Sequence, residues 1–245
     1  MARANLRTYA LWQVADYVTQ RGILSFIIGF MVGAPVRYMV NGYRSTGADP
    51  ERIQSAASQI AGGAAATLGV LIVLLAVQRS IAGDRADGYY RFYFSKPVRV
   101  WEFYLQRYVA FGVGLLAMVG LLLLIGVATG VPVHLGGAIL YFLILYISFG
   151  GIGFLCSAIT RYDWSVLSVI WFGALLVRTM FSRQATGWQR VLAAVLPRAE
   201  RMDSVRSALF AGIAPDAHDV MWLIGYGLAC ILLGLVVAQR RPLAS

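Results

Sequence analysis

Charge is scarce in this chain. Only 13% of its 245 residues are Asp, Glu, Lys or Arg, against ~25% in ordinary soluble domains, so a solvated globular surface cannot be built. Lysine is nearly missing, and Lys96 is the sole example. A P-loop needs Gly-Lys followed by Ser or Thr, whereas Lys96 follows Ser95 and precedes Pro97, so ATP hydrolysis by this chain is excluded. The two cysteines, Cys156 and Cys230, lie in apolar runs; they read as small hydrophobes and exclude a disulfide scaffold. The two histidines, His134 and His218, sit at the ends of apolar stretches. With no H-E-x-x-H, no G-x-S-x-G and no paired acids in an apolar run, intramembrane hydrolysis lacks its usual groups. No acid lies inside an apolar run, and Asp163 stands only at a boundary, so ion coupling through buried carboxylates has almost nothing to work with.

Hydrophobic residues, in contrast, make up 59% of the chain, glycine adds 26 residues, and the mean hydropathy is +0.70. That composition belongs to an all-α integral membrane protein with a single transmembrane domain over 1–245. Uncharged stretches place the spans. Residues 22–36 open the first, about 22–41, with Pro35 inside it and Arg37 snorkelling to the headgroups; residues 53–78 hold the second, about 59–80. From Tyr108 to Thr160 no Asp, Glu, Lys or Arg occurs over 53 residues. A helix of that length would be about 80 Å long against a hydrocarbon core of ~30 Å. It therefore crosses twice, with a break at Gly130-Val131-Pro132-Val133-His134, giving spans of about 108–130 and 136–160. Further spans at about 164–181 and 220–239 bring the expected number to six.

The N-terminal segment 1–21 reads as an amphipathic interfacial helix. Leu6, Ala10, Leu11, Val14, Ala15, Tyr17 and Val18 fall on one half, and Asn5, Thr8, Gln13, Asp16, Thr19 and Gln20 on the other, which Tyr9 and Trp12 share. Of the 21 basic residues all but Lys96 are arginine, and the net charge is +10. Because these arginines flank the apolar spans, they anchor the chain to headgroups and set its orientation, and no nucleic-acid partner is expected. With both termini cytoplasmic, 12 basic residues lie inside and 9 outside, which favours that orientation. Arg178, near the end of the fifth span, reads as a snorkelling side chain. Gly-x-x-x-Gly pairs such as Gly29/Gly33 and Gly126/Gly130 permit close helix approach.

Two connections carry patterns of their own. Segment 182–219 holds two short amphipathic helices. One has Trp188, Val191, Leu192 and Val195 on one face; the other is expected to start at an Asp203 cap and end at Gly212. Segment 81–107 mixes charges with aromatics: Asp84-Arg85-Ala86-Asp87-Gly88, then Tyr89 to Phe94, then Ser95-Lys96-Pro97-Val98-Arg99, with Phe103 and Arg107 downstream. In this pattern, and in its layout of spans and surface helices, the chain resembles the permease subunits of type-2 ABC exporters. It departs from them at Tyr89, Tyr90 and Val100, where Thr, Leu and Arg are common.

The resemblance implies a permease without a catalytic, cofactor or metal site of its own. It would sit in a bacterial inner membrane beside a second permease copy, identical or not, and membrane lipids. ATP and Mg would be held on two partner ATP-binding subunits. The 81–107 loop would then be the coupling loop, with Asp84, Asp87, Gly88, Tyr90, Arg91, Phe92, Phe94, Lys96 and Pro97 as its contact residues: aromatic anchors inside a charged rim. Two competing readings stay open at this point. The aromatics can form an interfacial belt, and the chain can be a non-transporting membrane scaffold that recruits partners.

Overall fold

A computed structural model describes residues 11–19, 23–47, 49–78, 80–86, 88, 99–128, 134–160 and 199–240. Among them there is helix and no strand. In chain order the elements are α1 (11–19), α2 (Ile23–Ser45), α3 (Pro50–Val77), α4 (Ala82–Ala86), α5 (Val100–Ala128), α6 (Leu135–Ile159), α7 (Ala199–Phe210) and α8 (Ala217–Arg240). Four are long and apolar enough to cross a membrane: α3 with its continuation to Arg85, α5, α6 and α8. The protein is therefore a membrane-embedded helical protein. The expected fifth span at 164–181, with Asp163 and Arg178, and the Trp188 helix lie outside the described residues.

The helices outrun the uncharged stretches that announce them. α3 starts at Pro50, nine residues before the expected span, with Pro in its first turn and Glu51 at its positive end. α5 likewise starts at Val100 with Glu102 in its first turn. Hydropathy measures bilayer thickness, whereas a helix continues as long as its backbone stays paired. α7 also departs from expectation. It begins at Ala199, so Asp203 lies inside it and pairs with Arg206 at 3.3 Å rather than capping the helix. Its other end is as the glycine pattern predicts: Gly212 takes φ +74°, and the Ile213 N–H reaches back to the Ala208 carbonyl at 2.8 Å.

α1 docks by part of its expected apolar face, through Tyr17 and Val18, but not by all of it. Gln13 and Tyr17 are buried while Leu11 and Trp12 stay exposed. Tyr17 lies against Phe111 with ring centroids 5.4 Å apart, over Gly114 of α5, where any Cβ would strike its ring. Packing of Tyr17 into a glycine notch selects which part of the apolar arc docks, and it carries Gln13 of the polar half inward with it.

The centre of the bundle is α6 crossing α8. Between lipid-bathed helices no hydrophobic driving force remains, so close van der Waals packing at small residues holds them. Gly151 of α6 faces the Gly227 backbone of α8, Gly227 faces the Ile147 carbonyl, and Gly234 faces Phe154. In the same stretch α6 widens into a π turn over Tyr146–Gly150. The widening has identifiable partners. Tyr108 donates to the Tyr146 carbonyl at 2.8 Å, Tyr146 donates back to the Tyr108 carbonyl at 2.6 Å, and Ser148 bonds the Ile144 carbonyl at 2.8 Å.

Both histidines have structural positions. His134 caps α6, its Nδ1 accepting from the Gly137 N–H at 3.0 Å. His218 lies in the first turn of α8, its backbone N–H donating to Asp216. Beside it, Arg201 of α7 pairs with Asp219 at 3.5 Å and lies 5.0 Å over the Trp222 ring, fastening α7 to α8.

Candidate functional site

The charged loop begins where α3 stops, and its first turn is fastened to two other helices. After Val77 the chain bends, and the N–H groups of Ile81 and Ala82 would be orphaned at the start of α4. Ser157 of α6 takes both, its Oγ accepting at 3.0 and 3.1 Å, with the Ser80 hydroxyl 3.4 Å away; both serines are buried. Arg85 answers from the other side. Its Nη1 donates to the Ala158 carbonyl at 2.8 Å, one of the last-turn carbonyls of α6, where a cation also suits the helix dipole.

Asp84 completes the clamp. Its Oδ2 lies 2.6 Å from Nη1 of Arg107 on α5, with the two side chains 8% and 19% exposed. The Arg107 guanidinium also covers the Phe111 ring at 5.4 Å. A charge-assisted bond of this length in a partly dry setting fixes position as well as contributing energy. Downstream, Gly88 takes φ +72°, a backbone conformation that suits glycine and turns the chain out of α4.

Of the nine residues expected on the coupling loop, Asp84 and Gly88 are described; Asp87, Tyr90, Arg91, Phe92, Phe94, Lys96 and Pro97 lie outside the described residues. Asp84 was expected among the rim charges that face a partner. The structure instead buries it at 6% exposure as an internal anchor. Arg85 and Arg107 belong to the loop pattern but not to its expected contact residues, and Ser157 lies outside the pattern altogether; the structure brings all three to Asp84's turn. Arg107 carried a signal, since it is the last charge before the long neutral stretch. Ser157 carried none, because nothing local marks a serine that will cap a helix 75 positions away.

A second feature lies among α2, α3 and α5: a cleft of about 490 Å³. Its walls are apolar and largely small, including Gly33, Ala34, Ala61, Ala64, Ala65 and Gly126, with Phe142 of α6 and Phe210 of α7 also contributing. Arg37, Tyr38 and Asn41 line it from α2. Among the described residues no cluster of His, Cys, Asp and Glu could hold a metal ion. The two features offer a mechanical joint and an amphipathic binding space rather than acid-base or nucleophilic chemistry. No protein-family model and no curated protein matches the chain.

Proposed function

We propose that the chain is the transmembrane permease subunit of an ATP-driven exporter in a bacterial inner membrane, with both termini cytoplasmic. Separate ATP-binding subunits would supply the energy, and a second permease copy would complete the pathway for a hydrophobic or amphipathic substrate. One observation carries the reading. The loop that the sequence marks as a docking element starts from a foot bonded to α5 through Asp84–Arg107 and to α6 through Ser157 and Arg85. A push on a loop hung from a flexible strand would be dissipated, whereas a push on this foot reaches three long helices together. Such rigid-body transfer is how closure of a motor subunit changes the packing of a membrane bundle.

The test is purification of the full chain, tagged, from membranes of its own host. Recovery of identified ATP-binding subunits in stoichiometric amount is expected, as is the absence of ATPase activity in the chain alone. Reversing Arg91 and Lys96 to Glu should weaken that retention or uncouple hydrolysis from transport. Phe92→Ala or Phe94→Ala should do more, because aromatic anchors carry interface energy that rim charges do not. Recovery without such subunits, or wild-type assembly and transport in all of these variants, would reject the exporter reading.

A further inference from the structure

The cleft among α2, α3 and α5 plays no part in the loop mechanism, yet its chemistry is lopsided. Its deeper wall is hydrocarbon, from Leu68, Gly69, Ile72, Leu122 and Phe142. At the other end stands one charge, Arg37, with Tyr38 and Asn41 beside it. None of the described lining residues is acidic and α2 contains no acid at all, so among the described residues nothing in the cleft neutralises that guanidinium. α2 and α3 run antiparallel, with Val36 and Val40 packed on Ile53 and Ala57. The polar end therefore points toward the α2–α3 connection and the bilayer surface, and the apolar end toward the bilayer interior. The side is open, since Phe30 and Tyr38 are 61% and 82% exposed. The volume of about 490 Å³ falls in the ~300–1,000 Å³ range of small-ligand sites.

We propose that this cleft binds an anionic phospholipid, one acyl chain lying along the hydrocarbon wall and the phosphate held by Arg37. A guanidinium presents paired N–H donors that match phosphate oxygens, and its unneutralised charge disfavours cations. A neutral hydrocarbon would fill the walls but make no use of the arginine. The inference rests on these helices alone and does not depend on the exporter reading.

Two glycines make the test clean. Gly33 and Gly126 both line the cleft, and a Cβ on either meets no atom within 4 Å, so a leucine at either position can be added at the cleft wall without striking a neighbouring helix at its Cβ. The full chain is placed in phosphatidylcholine nanodiscs doped with phosphatidylglycerol carrying a photoreactive group on its acyl chain, and the cross-linked peptides are mapped. Labelling of 61–72 and 119–126 is expected to exceed that by the matching phosphatidylcholine probe about fivefold, the discrimination one arginine provides near an anionic headgroup. Unlabelled phosphatidylglycerol should compete it away.

Arg37→Gln should erase the preference while leaving labelling of the lipid-facing residues of α8 unchanged. Gly33→Leu and, independently, Gly126→Leu should remove cleft labelling by both probes. Gly225→Leu, at an equally open position on α8, a helix that contributes no residue to the cleft lining, should leave it intact. Equal labelling by the two probes, a preference that survives Arg37→Gln, or cleft labelling that survives both fillers would each overturn the proposal.

Discussion

Asp84 and Arg107 illustrate how a residue can be visible in a sequence while its role is not. The acidic position stands out in a charge-poor chain, and so does the arginine that closes the loop. Their pairing does not, because they lie 23 positions apart and meet across two helices, in a turn that Ser157 of a third also holds. With both side chains largely buried, removing one partner leaves an uncompensated charge. Asp84→Ala and Arg107→Ala should each cost about 3 kcal/mol, near the low end for broken buried pairs, read from SDS-titrated unfolding of the reconstituted protein. The double variant should cost clearly less than the sum of the two, since each single change already forfeits the shared interaction. Additive losses would mean that the pair is not coupled. Arg37 was legible in a weaker sense: a charge within an apolar run stands out in the sequence, but the cleft beside it is made by small residues of α3 and α5 that no local pattern connects.

Long neutral runs announced most of the helices, and their neighbours explain where the helices depart from those runs. The 53-residue stretch divides as its Pro and Gly residues indicate, into α5 and α6, because the bilayer thickness allows nothing else. The π turn in α6 was not legible: it depends on the Tyr108 hydroxyl from another helix taking the Tyr146 carbonyl. Glycine spacing was ambiguous for the same reason. Gly225 and Gly227 stand two residues apart on α8, yet a Cβ on the first meets open space and on the second strikes the Ile147 backbone. Gly227→Ala should therefore separate α6 from α8 and destabilise the protein by about 1–3 kcal/mol, as overpacking does. Gly225→Ala should be neutral or stabilising by up to ~1 kcal/mol through helix propensity. Thermal unfolding of the two variants in the same nanodiscs checks the pair, and equal effects would show that the crossing is not as tight as the glycines make it.

At the scale of the whole molecule, orientation decides whether the parts can work together. The foot of the charged loop and the polar end of the cleft lie at opposite ends of α3, whose 28 residues span about 40 Å. If the loop is to meet a cytoplasmic ATP-binding partner, the α2–α3 connection must face the other side, and Arg37 must then draw on the outer leaflet. On the six-span reading, the balance of 12 basic residues against 9 favours the same orientation by the positive-inside rule. Single cysteines test this directly in a background with Cys156 and Cys230 replaced by alanine. Ser45→Cys, exposed at the end of α2, should react with a membrane-impermeant maleimide in intact spheroplasts. Arg99→Cys, just before α5, with its native side chain 74% exposed, should react only after permeabilisation. The reverse pattern would put the charged loop outside, out of reach of any cytoplasmic ATPase, and would overturn the export reading while leaving the lipid cleft to be judged by its own labelling. Reaction of both sites from the same side would mean that α3 does not cross the bilayer, although it is long and apolar enough to do so, and would overturn the export reading as well.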